Sequence, residues 1–290
     1  MKSVDSTRVL VLGASGMLGH AVFRLLAGNP GFDVRGSVRS TGALGHFAPA
    51  LRQQITCGVD VENNDSLIGL MTTHRPEVVI NCVGLVKQLA AADDPLAALP
   101  INAMLPHRLA HLCGLAGARL VHVSTDCVFS GRRGAYREED EADALDLYGR
   151  SKHIGEVDYP HAVTLRTSII GHELGTAHGL VGWFLAQTAG VKGYGRAVFS
   201  GLPTVELARV IRDFVIPTPS LHGVHHVSAD PINKYDLLRL IAESYGKSPD
   251  ILRDDTFVID RSLDSTRFRL ATGYTPPPWP ELISAMRQFG

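Results

Sequence analysis

Tyr148 and Lys152 stand four residues apart, and Gly13, Gly16 and Gly19 recur at intervals of three near the start of the chain. Side chains four apart on a helix share a face, so the first pair sets a phenol beside an ammonium. A free phenol, with a pKa of about 10, is a reluctant acid–base at neutral pH. A neighbouring cation favours its phenolate and helps it exchange a proton with a substrate oxygen. The glycines sit in Gly13-Ala14-Ser15-Gly16-Met17-Leu18-Gly19, after a short β-rich run, Arg8 to Leu12, and before an apolar run with helical spacing, Leu18, Val22, Leu25 and Leu26. In that context glycine permits a tight turn and close backbone approach to a pyrophosphate, while the helix N-terminus offers free N–H groups and partial positive charge. The two motifs together suit a nicotinamide that moves hydride while a side chain moves a proton. Tyr148, Lys152 and Thr125 are the candidate catalytic residues, Thr125 as a hydroxyl that polarises a carbonyl oxygen. Gly13, Ser15, Gly16, Met17, Leu18 and Gly19 are the candidate phosphate cradle.

An acid ending the second strand would hold the ribose hydroxyl of NAD. The strand here ends Ser37-Val38-Arg39, and the nearby acid, Asp33, lies at its start. A guanidinium at that edge suits a 2′-phosphate, so NADP(H) is the expected cofactor with Arg39 as its reader, and NAD(H) the alternative. Asp60 and Val61, after the third strand, fall where adenine would lie. Cys82, Val83 and Gly84, after the fourth, line the cofactor's path, and Lys152 reaches the nicotinamide ribose.

These residues need a scaffold in which strands and helices alternate. Strands are expected at Arg8 to Leu12, Val34 to Val38, Ile55 to Cys57, Val78 to Val83, Arg119 to Ser124 and Val163 to Ile170. Helices are expected at Met17 to Ala27, from a cap at Asn64 or Asp65 to Thr73, from Leu96 to Leu115, and around Tyr148. Such alternation implies crossovers and a parallel sheet. The expected class is α/β, a Rossmann-type doubly wound parallel sheet with a smaller C-terminal α/β substrate cap. Residues 1–171 form the dinucleotide-binding domain in this reading, 204–230 return to it, and 172–290 are mainly substrate domain. Helices at Leu180 to Thr188, Val205 to Val215, Lys234 to Ser244 and Glu281 to Gln288, with a strand at Val224 to Val227, complete the expected elements.

The 290 residues carry 45% hydrophobic and 20% charged side chains with a formal net charge of −1, giving no electrostatic case for nucleic acid or membrane as partner. The polar stretch Met1 to Thr7 and the short run Val9 to Leu12 are unlike a signal peptide. Cys57, Cys82, Cys113 and Cys127 lack metal or disulfide spacing and fit a reducing, cytoplasmic location. His107 and His111 are four apart but lack a third ligand, and neighbouring strand residues His225 and His226 face opposite ways, so no metal is expected.

The chain resembles the extended short-chain dehydrogenase/reductases, whose GxxGxxG spacing it shares, and within them the dTDP-4-dehydrorhamnose reductase group. Ser124-Thr125-Asp126-Cys127-Val128-Phe129-Ser130-Gly131 is similar to that group's STDYVFDG stretch, and Gly134 to Asp140, Tyr148 to Lys152 and Gly155-Glu156 follow in the group's order. Leu165-Arg166-Thr167-Ser168 is similar to its sixth strand, and Arg261-Ser262-Leu263-Asp264 to a late segment. The resemblance implies a Thr125, Tyr148, Lys152 triad, Arg166 among the cofactor contacts, and a sugar nucleotide as small-molecule substrate. Cys127 and Ser130 replace the group's Tyr and Asp, and Asn81 to Gln88 departs from its loop after the fourth strand, leaving the hexose and nucleotide open. Lys87 is equally a partner for a substrate anion or a solvated lysine, and the oligomeric state, a homodimer included, is open. Dehydration is disfavoured because Cys127 stands where that chemistry needs an acid. An NAD-retaining epimerase and a non-catalytic regulatory subunit, such as the beta subunit of methionine adenosyltransferase, are the alternatives to an NADPH-dependent reductase of a 4-keto-6-deoxy sugar nucleotide.

Overall fold

The structure is a computed structural model that describes residues 6–87 and 90–290. Gln88 and the stretch Met1 to Asp5 lie outside the described residues. Seven parallel strands form the main sheet. In spatial order they are Gly223–His226, β6 (Ala162–Thr167), β5 (Arg119–Thr125), β4 (Val78–Asn81), β1 (Thr7–Leu12), β2 (Phe32–Ser37) and β3 (Ile55–Thr56). The order reverses between β1 and β4, which is where an open α/β sheet leaves a crevice at the carboxyl ends of its strands.

β1 is buried on both faces, as a parallel strand covered by helices must be. Val9 and Val11 pack with Val22, Phe23 and Leu26 of α1 (Met17–Ala27). Leu10 and Leu12 turn the other way, toward Leu67, Leu105 and Leu109. Burying each of these side chains contributes about 1.5–3 kcal/mol, which fixes the sheet between two helical layers. α1 has the bounds expected from its periodicity.

Other boundaries moved for local reasons. Asn63, not Asn64 or Asp65, caps the helix Asn64–His74, its Oδ1 accepting from the N–H groups of Asp65 and Ser66 at 2.8 and 3.3 Å. β4 stops at Asn81 because that residue's Oδ1 accepts from the Val83 N–H (3.1 Å) and turns the chain. The sixth strand breaks at Thr167, and Ile169–Ile170 pairs instead with Leu202–Pro203. The expected helix Leu96 to Leu115 is helical throughout from Pro95 to Ala116, but with a wide π-type turn at Leu99–Met104.

Beyond Gly171 short strands pair across long separations: Val191–Tyr194 with Ile251–Asp254, and Ala197–Phe199 between Ile232–Asn233 and Ile259–Asp260. The helix Thr204–Val210 packs on α1, and Gly223–His226 extends the main sheet beside β6. Trp279 packs on Phe199 and donates to the Asp230 carbonyl at 2.8 Å. Among the described residues no helix is long and apolar enough to cross a membrane.

Candidate active site

The glycine turn closes on itself. Gly13 has φ +77°, the left-handed region that favours glycine, and its carbonyl accepts from the Gly16 N–H at 2.9 Å. A β-carbon on Gly19 would overlap that carbonyl, and one on Gly13 would press on Val83 and the Cys82 backbone. The turn, the start of α1 and the loop after β4 are therefore in mutual backbone contact. Gly16 caps α1 without a side chain, so the first N–H groups of the helix, from Met17, Leu18 and Gly19, point outward without intrahelical partners. This bare cradle suits a dinucleotide pyrophosphate. Ser15 lies half-buried within it.

Arg39 is exposed just past β2, and Asp60 is exposed just past β3. The intervening backbone is tied together, with the Val38 N–H on the Thr56 carbonyl (2.9 Å) and the Val59 N–H on the Val38 carbonyl (3.2 Å). Arg39, Asp60 and Val61 therefore share one edge with the glycine turn. Asp33 pairs with Arg35 at 3.4 Å and not with Arg39.

The helix Leu147–Ile154 carries Tyr148 and Lys152. Asp146 caps it, accepting from the Gly149 N–H at 2.8 Å. Two glycines set its depth. A β-carbon on Gly149 would overlap the Cys127 carbonyl, and one on Gly155 would overlap the Asn102 carbonyl. The first contact brings Tyr148 against the end of β5. Thr125 is buried there, its Oγ1 accepting from the Cys127 N–H (3.1 Å) and donating to Asp126 (3.2 Å).

Tyr148 is raised above its ordinary pKa, first by burial and next by Cys127, against which a hydrogen bond with Thr125 works. Lys152 donates to the Val123 carbonyl at 2.8 Å, and burial lowers it to about 8 against the opposing pull of Glu156. The site in this state holds a protonated phenol, the form that donates. Burial pushes the Cys127 thiol up to about 12, which leaves it a weak nucleophile and a weak acid.

Two sequence candidates form ion pairs. Arg166 is buried with its guanidinium engaged by Glu156 and His226, at 2.8 and 2.6 Å and at 2.8 Å. It braces the sheet beneath the site through these three bonds. Lys87 donates to Asp146 at 2.6 Å and so ties the loop after β4 to the cap of the Tyr148 helix. His107 and His111 meet Tyr159, and among the described residues no group of three metal-ligating side chains forms.

Several residues escaped the sequence reading. Asn102, in the π-type turn, accepts from the Leu85 N–H (2.9 Å) and donates to the Leu85 carbonyl (3.1 Å) and to Ser151 Oγ (3.3 Å). It clamps the loop after β4 to the Tyr148 helix. Beside Asp126 and Cys127 opens a cleft of about 400 Å³ lined also by Trp183, Tyr194, Phe199, Phe257, Lys234 and Arg261. Lys234 lies over the Phe199 ring at 4.1 Å, and burial lowers it to about 8, opposed by Asp126. Asp126 is raised by burial and lowered by Arg261 and Lys234. Hollows of comparable size beside Tyr235 and Arg239, or beside Met104 and Ile154, do not reach Asp126 and Cys127, the residues that follow Thr125.

The profile of the RmlD substrate binding domain family matches residues 7–256. A dTDP-4-dehydrorhamnose reductase from Aggregatibacter actinomycetemcomitans is 24% identical over 307 aligned positions, 97% of this chain and 99% of that protein. One from Streptomyces griseus is 34% identical over 157 positions, 54% of this chain and 46% of its own, so in that match the chain spans about half the relative's length. The methionine adenosyltransferase 2 subunit beta of Xenopus laevis is 26% identical over 99% of this chain and 84% of that protein. A crystal structure of dTDP-4-dehydrorhamnose reductase from Bacillus anthracis in complex with NADP has the same fold, with a TM-score of 0.80 at 23% identity over 98% of this chain and 99% of that one.

Proposed function

This chain belongs to the RmlD substrate binding domain family, and on that premise we propose that it is an NADPH-dependent reductase of a 4-keto-6-deoxy sugar nucleotide. The observation that carries the reading is Tyr148 set against the end of β5 beside Thr125, next to a cleft lined by three cations, Lys192, Lys234 and Arg261. The full-length match to a dTDP-4-dehydrorhamnose reductase and the NADP in a protein of like fold support it.

NADPH, when bound, supplies the hydride. Gly13, Ser15, Gly16, Met17, Leu18 and Gly19 would hold its pyrophosphate, Arg39 its 2′-phosphate, Asp60 and Val61 its adenine, and Cys82, Val83, Gly84 and Lys152 its nicotinamide half. Tyr148 gives its proton to the ketone oxygen, which Thr125 hydrogen-bonds as charge develops there. Lys234 and Arg261 balance the diphosphate of the sugar nucleotide. Residues 1–171 with 204–230 then serve the cofactor and 172–290 mainly the sugar nucleotide, in a cytoplasmic enzyme.

A panel of UDP-, dTDP- and GDP-linked 4-keto sugars, assayed for NADPH oxidation, tests the reading, and no oxidation with any of them would end it. The likeness to a beta subunit over nearly the whole chain favours a second, non-catalytic reading, which predicts that negative result. Stoichiometric nicotinamide retained through purification would instead favour an epimerase.

Two substitutions divide the labour of the site. Arg39→Asp is expected to raise the KM for NADPH at least tenfold more than that for NADH, since about 1.4 kcal/mol of lost phosphate pairing is a factor of ten. An unchanged ratio would remove Arg39 from the cofactor site. Lys234→Met is expected to raise the KM for the sugar nucleotide by about tenfold or more, a lost charge-assisted bond being worth roughly 1.5–3 kcal/mol, with the KM for NADPH unmoved. Equal effects on both constants would mean that Lys234 supports the fold and not the ligand.

A further inference from the structure

Glu156 lies just beyond the Tyr148 helix, four residues after Lys152, and its carboxylate is buried with four donors around it. Arg166 Nε and Nη2 reach it at 2.8 and 2.6 Å, Ser124 Oγ at 2.7 Å and His153 Nδ1 at 3.0 Å. Arg166 is fixed in turn. Its Nη1 donates to His226 Nε2 (2.8 Å), which places the imidazole proton on Nδ1, where it donates to the Tyr136 carbonyl (3.0 Å). Both side chains of the ion pair are 4% exposed.

Two bonds cross from this assembly to the end of β5: Ser124 to Glu156, and Lys152 to the Val123 carbonyl. They bracket the two residues that precede Thr125. We propose that Glu156 is a positioning residue, which holds the Tyr148 helix against the end of β5 and supplies the counter-charge that keeps Lys152 an ammonium inside the groove. This rests on the reductase reading for its effect on turnover, though not for its effect on Lys152.

The titratable groups that act on Lys152 are Glu156, Cys82 after β4 and His122 on β5. Burial pushes Cys82 up to about 12 and His122 well below its usual range, so both are neutral. Among the described residues Glu156 is the anion that opposes the burial of Lys152. Against the opposing effect of burial, Arg166, with His153 and Ser124, holds Glu156 itself down at about 2, so that counter-charge persists across the working pH range.

The test follows Lys152 directly, through the ε-carbon resonance of ¹³C-lysine-labelled full-length protein, assigned by its loss in Lys152→Arg. Glu156→Gln should lower the Lys152 titration by roughly one pH unit, as loss of a nearby opposite charge does. The basic limb of the kcat/KM profile should move down with it. Because Glu156→Gln strands a buried guanidinium, the double variant Glu156→Gln/Arg166→Met, which removes both charges, is measured as well and should shift the titration in the same direction by a smaller amount, since a cation leaves with the anion. Ser124→Ala should lower kcat roughly tenfold through misplacement of Thr125 while leaving the titration in place. A Lys152 titration unmoved in both Glu156 variants overturns the proposal. Failure of the wild-type protein to oxidise NADPH defeats the reductase reading alone, since the Lys152 titration is read without substrate.

Discussion

Tyr148→Phe is expected to lower kcat for the 4-keto sugar nucleotide by about 10²- to 10⁴-fold, the usual worth of a positioned general acid. NADPH affinity and thermal stability should hold. The ring is half-buried against the end of β5, and phenylalanine preserves that packing. What is lost is the proton that burial keeps on the phenol. The same burial predicts that Tyr148 stays protonated beyond its ordinary range, so the upper pH limit of turnover should belong to Lys152, near 8, and not to the phenol. NADPH oxidation by the variant, followed at saturating cofactor, checks the first point. A rate within a few-fold of wild type would mean that another group donates the proton. The measurement also separates the two readings of the family likeness, because a non-catalytic subunit has no turnover for this substitution to remove.

Gly19→Ala carries the second large effect. Its β-carbon has nowhere to go but the Gly13 carbonyl, so the turn must open or α1 must shift. Overpacking of this kind costs roughly 1–3 kcal/mol. Because the displaced atoms are the phosphate cradle, NADPH should bind about 10- to 100-fold more weakly, at 1.4 kcal/mol for each factor of ten. The rise in melting temperature that NADPH produces should shrink accordingly. Gly69 is the control. It lies in the helix Asn64–His74 with nothing within 4 Å of an added β-carbon, so Gly69→Ala should stabilise by about 0.5–1 kcal/mol and leave NADPH binding alone. Equal cofactor binding by Gly19→Ala and wild type would dissociate the turn from the cofactor.

Read from its residues alone, the chain already shows β1, the glycine turn, α1, the alternation that forces a parallel sheet, and the Tyr148–Lys152 pair. These depend on neighbours a few positions away: glycine at a turn, apolar spacing on a helix, two side chains on one helix face. The cap strands Val191–Tyr194 and Ile251–Asp254 were not legible, because each is four residues long and has its pairing partner some sixty positions distant in the chain. The fates of individual charges were equally hidden. Arg166 turns inward to Glu156, Lys87 finds Asp146, and Lys234 comes beside Asp126 over Phe199. Local pattern decides backbone conformation, since that follows from short-range sterics and burial. The partner of a buried charge is decided only when distant segments pack and water is excluded.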